Sequence, residues 1–107
     1  MPKQLGQANS VTTAAEIYAP AAGMAARNLR MHVVETNGAD AVFTLFHDTD
    51  GAVMTDVTTI YEGSVLANRT EVIKLTHIEV SNSSHGIGVQ ASTANVTFTL
   101  YGDEFVA

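Results

Sequence analysis

The sequence contains no cysteine. Disulfides, thiol nucleophiles and cysteine metal sites are therefore excluded. It contains no tryptophan, and only four phenylalanines and three tyrosines. The apolar fraction is 46 %, but 15 of those residues are alanine, so large core-forming side chains are few. A core that thin gains from any partner that binds the folded form. Basic residues are scarce as well: five Lys and Arg stand against eleven Asp and Glu, a formal charge of −6. The deficit is uneven. Residues 1–30 hold Lys3, Arg27 and Arg30 against Glu16, whereas residues 31–107 hold Arg69 and Lys74 against ten acids. An acidic body argues against a nucleic-acid surface, because phosphate contacts need clustered Lys or Arg. It argues equally against binding an anionic membrane. No run approaches the roughly 20 apolar residues of a membrane helix. The opening Met-Pro-Lys-Gln-Leu-Gly-Gln lacks the apolar segment of a signal peptide, so the chain is expected to be made in the cytoplasm as a soluble protein.

What the sequence does contain is strand-forming. Val, Ile and Thr together number 30 of 107 residues, a composition that favours strands over helices. The strongest local signal is Leu29 to His47. Leu29, Met31 and Val33 alternate with Arg30 and His32, and Phe43 and Leu45 flank Thr44. Period-two alternation puts one set of side chains on each face of a strand. Asn37-Gly38 lies between the two runs and tolerates the positive φ of a tight turn. The stretch reads as a hairpin, closed at Asn37-Gly38 or through the longer loop Thr36 to Asp40, whose apolar face needs a second sheet to cover it.

The rest of the chain follows the same grammar. Residues 1–13 read as a polar arm with at most a short strand, and 14–107 as the domain. Ala14 to Arg30 is alanine-rich, but Pro20 and Gly23 argue against a long helix, and Pro20-Ala21-Ala22-Gly23 has turn chemistry. Val53 to Tyr61 reads as a strand with Val57 and Ile60 out of strict register, an edge or a bulge, and Glu62-Gly63-Ser64 as a turn. Val65-Leu66-Ala67 is short. Glu71 to Val80 changes phase between Ile73 and Leu75 and then Ile78 and Val80, which suggests a break near Thr76-His77 or burial on both faces. Gly86-Ile87-Gly88-Val89 reads as a strand open to close approach. Asn95 to Tyr101 has the cleanest alternation, with Val96, Phe98 and Leu100 on one face, and Gly102 to Ala107 reads as a tail. About seven or eight short strands, with turns roughly every 8 to 12 residues, predict an all-β fold, an antiparallel, jelly-roll-like β-sandwich. Val96, Phe98, Leu100, Phe43, Leu45 and Ile73 are its expected core.

No constellation supplies chemistry. His32, His47, His77 and His85 have no close pair with metal-ligand spacing, and His32 is expected to point outward. Asp48-Thr49-Asp50-Gly51, with Asp56 beyond, has the start of a calcium loop but not its later ligands, so it reads as an acidic turn. There is no Gly-x-Ser-x-Gly elbow, no marked carboxylate pair and no phosphate loop. Tyr18, Pro20, Gly23, Tyr101 and Gly102 either border a ligand groove or, on the simpler reading, place Tyr18 as an anchor of the sandwich. The chain is expected not to be an enzyme and to have no catalytic, cofactor or metal site.

Three stretches carry a resemblance. These are Ile17-Tyr18-Ala19-Pro20-Ala21-Ala22-Gly23, the strand ending near Glu35-Thr36-Asn37, and the terminal Asn95-Val96-Thr97-Phe98-Thr99-Leu100-Tyr101-Gly102-Asp103-Glu104. Over Ala14 to Glu104 the chain resembles small β-sandwich virion proteins of tailed bacteriophages, found as head decoration (cement) proteins or in neck and tail parts. The resemblance implies a structural role without catalytic residues. It implies a homo-oligomer, dimer or trimer, that clamps subunits of the major capsid protein on the virion surface after synthesis in the host cytoplasm. A neck or tail component is the alternative, followed by a carbohydrate- or calcium-binding module of a receptor-binding part. The strands around Val53–Tyr61 and Gly86–Ala91 are the expected contact edges, with the arm, residues 1–13, as a second attachment.

Overall fold

The structure is a computed structural model. It describes residues 3–9, 11–36, 38–48, 59–75, 78–81 and 86–106, with backbone alone at Asp48 and Ser81. The described residues form nine strands and no helix. They are β1 (Lys3–Asn9), β2 (Ala15–Tyr18), β3 (Met24–Glu35), β4 (Ala41–Asp48), β5 (Thr59–Val65), β6 (Thr70–Leu75), the two-residue β7 (Val80–Ser81), β8 (Gly86–Ala91) and β9 (Val96–Val106). Sheet A has the order β1-β9-β3-β6, with β7 also against β3; sheet B has the order β2-β8-β4-β5. Every pairing is antiparallel. With the short β7 set aside, early strands pair with late ones, as in a long antiparallel ribbon rolled across two layers. That is the jelly-roll arrangement of an all-β sandwich.

The core follows from alternation. Leu29, Met31 and Val33 of β3, Ile73 and Leu75 of β6, and Val96, Phe98 and Leu100 of β9 face inward from sheet A. Phe43 and Leu45 of β4, Val65 of β5, and Ile87 and Val89 of β8 meet them from sheet B. Phe43 and Phe98 join the layers edge to face, with ring centroids 6.2 Å apart. All six core residues expected from the sequence are buried. Ile73 and Leu75 of β6 are buried, as are Ile78 and Val80, and Ile78 N donates to Leu75 O at 3.1 Å; Thr76 and His77, where the sequence suggests a break, lie outside the described residues.

Four expectations change. First, Leu29–His47 is not a hairpin. β3 lies in sheet A between β9 and β6, and β4 lies in sheet B between β8 and β5. Two strands with one apolar face each can share a sheet or oppose each other across a core, and alternation is the same in both cases. Here they oppose. Second, Glu62-Gly63-Ser64 is not a turn but the middle of β5, and the turn falls at Leu66–Arg69, closed by Arg69 N donating to Leu66 O at 3.0 Å. Gly63 is tolerated in β5 because Tyr61 folds over it and stacks on Phe43, 5.7 Å between centroids. An aromatic ring covering a strand glycine restores the apolar contact that glycine lacks. Third, β9 continues through Gly102 to Val106, so that stretch is strand rather than tail. Fourth, Gly86–Ala91 is not an edge, because β8 sits between β2 and β4. The other expected contact strand is described only from Thr59, as β5, which is an edge of sheet B; residues 53–58 lie outside the described residues.

The segment read as an arm is laid down as β1, an edge strand on β9 from Lys3↔Gly102 to Asn9↔Thr97. Its placement depends on Gly6. A Cβ there would fall on the backbone carbonyl oxygen of Ile17 in β2. Only glycine lets the edge strands of the two sheets approach this closely.

Candidate functional site

The outer face of sheet A is a grid fixed by register. Its first row is Asn9, Thr97, Val34 and Thr70, its second Gln7, Thr99, His32 and Val72, and its third Gln4, Tyr101, Arg30 and Lys74. Each is the outward partner of an inward core residue, which follows from the pleat. The grid is knit together across strands. Gln7 Nε2 donates to Thr99 Oγ1 at 3.1 Å, and Thr97 Oγ1 donates to Asn9 Oδ1 at 3.3 Å. His32 meets Tyr101 edge to face at 4.9 Å. His32 thus lies on the outward phase, as expected, half-buried by its neighbours.

The three rows contain no carboxylate, although the chain carries a charge of −6. Arg30 and Lys74 stand directly opposite each other on β3 and β6. The acid of β9 on this face is Asp103, beyond the third row. Asn28 Nδ2 donates to its Oδ2 at 2.8 Å, and that bond holds the carboxyl below its usual range. Arg27 pairs with Asp103 in register and lays its guanidinium over the Phe105 ring, 4.6 Å from the centroid. Sheet B has the opposite character. Its strands carry Glu16, Asp48 and Glu62 and no Lys or Arg. A shallow groove crosses its outer face, lined by Val42, Thr44, Gln90, Ala91 and Ser92.

The other residues singled out by sequence have structural roles or lie elsewhere. Tyr18 is the anchor of the simpler reading. It is buried on β2, and its hydroxyl donates to Glu104 Oε2 at 2.9 Å on the opposite sheet. Lys3 Nζ reaches Glu104 Oε1 at 2.7 Å, so β1, β2 and β9 meet at one carboxylate. Asp48 ends β4, and His77, His85, Thr49, Asp50, Gly51 and Asp56 lie outside the described residues. His32 and His47 are on different sheets, and among the described residues no three His, Asp or Glu side chains converge on a point.

One residue was missed. Glu35 is 1 % exposed, and its Oε1 accepts from Gly38 N at 2.9 Å, Ala39 N at 3.3 Å and Asn68 N at 3.0 Å. It fixes both the β3–β4 crossing and the β5–β6 turn. The signal was present, since Glu35 continues the inward phase of Leu29, Met31 and Val33.

The Lys3–Glu104–Tyr18 cluster gives the fold two pH limits. The Lys3 contact, then the Tyr18 hydrogen bond, hold the Glu104 carboxyl below its ordinary 4.5. A depressed acid stabilises the fold above its unfolded value, and that contribution is lost as pH falls through the folded value. Burial first, then the bond to Glu104, raise the Tyr18 phenol above its ordinary 10.0. That contribution is complete below the unfolded value and is lost as pH climbs above it. The melting temperature should therefore fall at both extremes. Glu104→Gln should flatten the acid limb and Tyr18→Phe the alkaline one. An alkaline limb as steep in Tyr18→Phe as in the parent would remove the phenol as its cause.

Compared with known proteins, the chain matches no family model and no curated sequence.

Proposed function

We propose that this domain is a structural virion protein, a decoration or cement protein that binds the major capsid shell of a tailed bacteriophage and stabilises it. It acts by binding, as a small homo-oligomer, and not by catalysis. The observation that carries the reading is where the chain puts its polar organisation. The space between the sheets is filled by Phe43, Phe98, Leu29, Met31 and Leu45. Apart from Glu35 at the connections and the Tyr18–Glu104 bond between the sheets, the ordered polar groups lie outside, on a broad sheet face knit by register and side-chain bonds. Such a face suits another protein surface better than a small substrate, which wants a concave pocket. Jelly rolls serve as viral capsid domains, among other uses, and the resemblance over Ala14 to Glu104 points the same way. Fold alone does not assign function, so the surface carries more weight than the topology.

The test is addition of the purified protein to heads that lack it, followed by imaging. Saturable occupancy at symmetry-related positions on the shell, with heads that resist heat or low salt better, is the expected result. Density on the neck or tail would move the protein to that part of the particle. No binding to any part of the particle would remove the virion reading.

A further inference from the structure

The outer face of sheet A holds charges that its own chain leaves uncompensated. Arg30 and Lys74 are exposed and directly opposed across the β3–β6 ladder. Like charges so placed repel. Neither makes an ion pair or hydrogen bond among the described residues. Among the described acids of this face, Asp103 is already bonded to Asn28 and registered with Arg27, and the exposed Glu79 precedes β7, which pairs with β3 at Ala25 and Ala26 rather than at Arg30. On a protein of charge −6 this is the surface that attracts an acidic body, whereas the strands of sheet B, with acids and no bases, repel one.

We propose that the outer face of sheet A is the docking surface of this domain, and that the shell subunit it meets presents carboxylates to Arg30 and Lys74. The inference rests on the decoration reading and adds to it which face docks and the chemistry of the surface it meets. Three further observations support it. The neighbouring side chains are held in place before contact, by the Gln7–Thr99 and Asn9–Thr97 bonds and the His32–Tyr101 packing, which lowers the entropy cost of binding. Val72, 47 % exposed, adds apolar contact in the middle row. The Cα extents of 41 × 29 × 20 Å give the sandwich broad faces that accommodate the roughly 800 Å² per partner of a stable interface. Nucleic acid is the weaker occupant, because a few cations on an acidic protein cannot supply the counterion release that phosphate binding needs.

The experiment compares the full chain with R30E/K74E and with the neutral R30Q/K74Q on heads that lack the protein. E62K, on the outer face of sheet B, is the control. Circular dichroism and melting establish that each variant is folded; should R30E/K74E misfold, R30Q/K74Q carries the test. The parent should bind, and more weakly as salt screens the contact. R30E/K74E should bind at least about tenfold more weakly, the scale of losing close interfacial charge pairs. R30Q/K74Q should fall between, and E62K should match the parent. Parent and R30E/K74E binding alike would overturn this inference and leave the decoration reading standing. No binding by the parent would remove both. Sedimentation of the parent alone tests for a second copy as occupant: self-association abolished by R30E/K74E would assign the face to the oligomer and overturn the acidic-shell assignment.

Discussion

Replacing Phe98 with alanine is expected to destabilise the domain by about 3–5 kcal/mol. Phe98 is fully buried near the start of β9 and packs edge to face on Phe43 of the opposite sheet. Truncation removes the larger part of an aromatic side chain from a core with few large residues. The neighbours that remain, such as Val33 directly opposite on β3, cannot fill the space without moving backbone. The loss is a large share of the roughly 5–15 kcal/mol that holds a domain of this size together. Thr97→Ala is the matched control, one residue away on the outward face, and should cost less than about 1 kcal/mol, because its hydroxyl bonds only an exposed Asn9. Urea unfolding of both variants measures the difference. A cost for Thr97→Ala equal to that for Phe98→Ala would mean that the assigned register of β9 is wrong.

Glu35→Ala should have the second largest effect, about 2–4 kcal/mol, through polar chemistry rather than volume. Its carboxylate accepts three backbone N–H groups from two different connections. Removing it leaves the N–H groups of Gly38, Ala39 and Asn68 to find other acceptors. It also frees the Leu66–Arg69 turn, where Asn68 sits at a positive φ of 56°. Glu35→Gln retains one carbonyl acceptor and should cost less than Glu35→Ala. Amide hydrogen exchange at Gly38 and Asn68 should accelerate in Glu35→Ala before the core strands lose protection. Unchanged exchange at both amides would show that the carboxylate is not their acceptor in solution.

These two residues show how much was legible in the sequence. The alternation of Asn95 to Tyr101 alone points Phe98 inward, and that of Leu29, Met31 and Val33 puts His32 on the outward phase. Tyr18 as an anchor was also readable, though its partner Glu104 was not. Glu35 obeys the same alternation, but a carboxylate on an apolar phase reads as a solvated strand end unless the donors are known. Those donors come from Gly38, Ala39 and Asn68, and the last reaches Glu35 only once β5 and β6 have closed their turn.

By itself the sequence determined the class of structure and the facing of its side chains. Period-two patterning is local, because the pleat of one strand decides which side chains share a face. The all-β sandwich and its core residues follow from that. The tertiary structure alone decided which strands pair. It separated Leu29–Glu35 from Ala41–Asp48 into opposite sheets, drew residues 3–9 in as an edge strand and placed Gly86–Ala91 inside a sheet. It also decided the candidate site, since Arg30 and Lys74 become neighbours only when β3 and β6 align. The physical reason is that an apolar strand face is satisfied equally by several partners. The choice among them is made by the whole set of strands closing one core, a constraint that no single stretch of the chain contains.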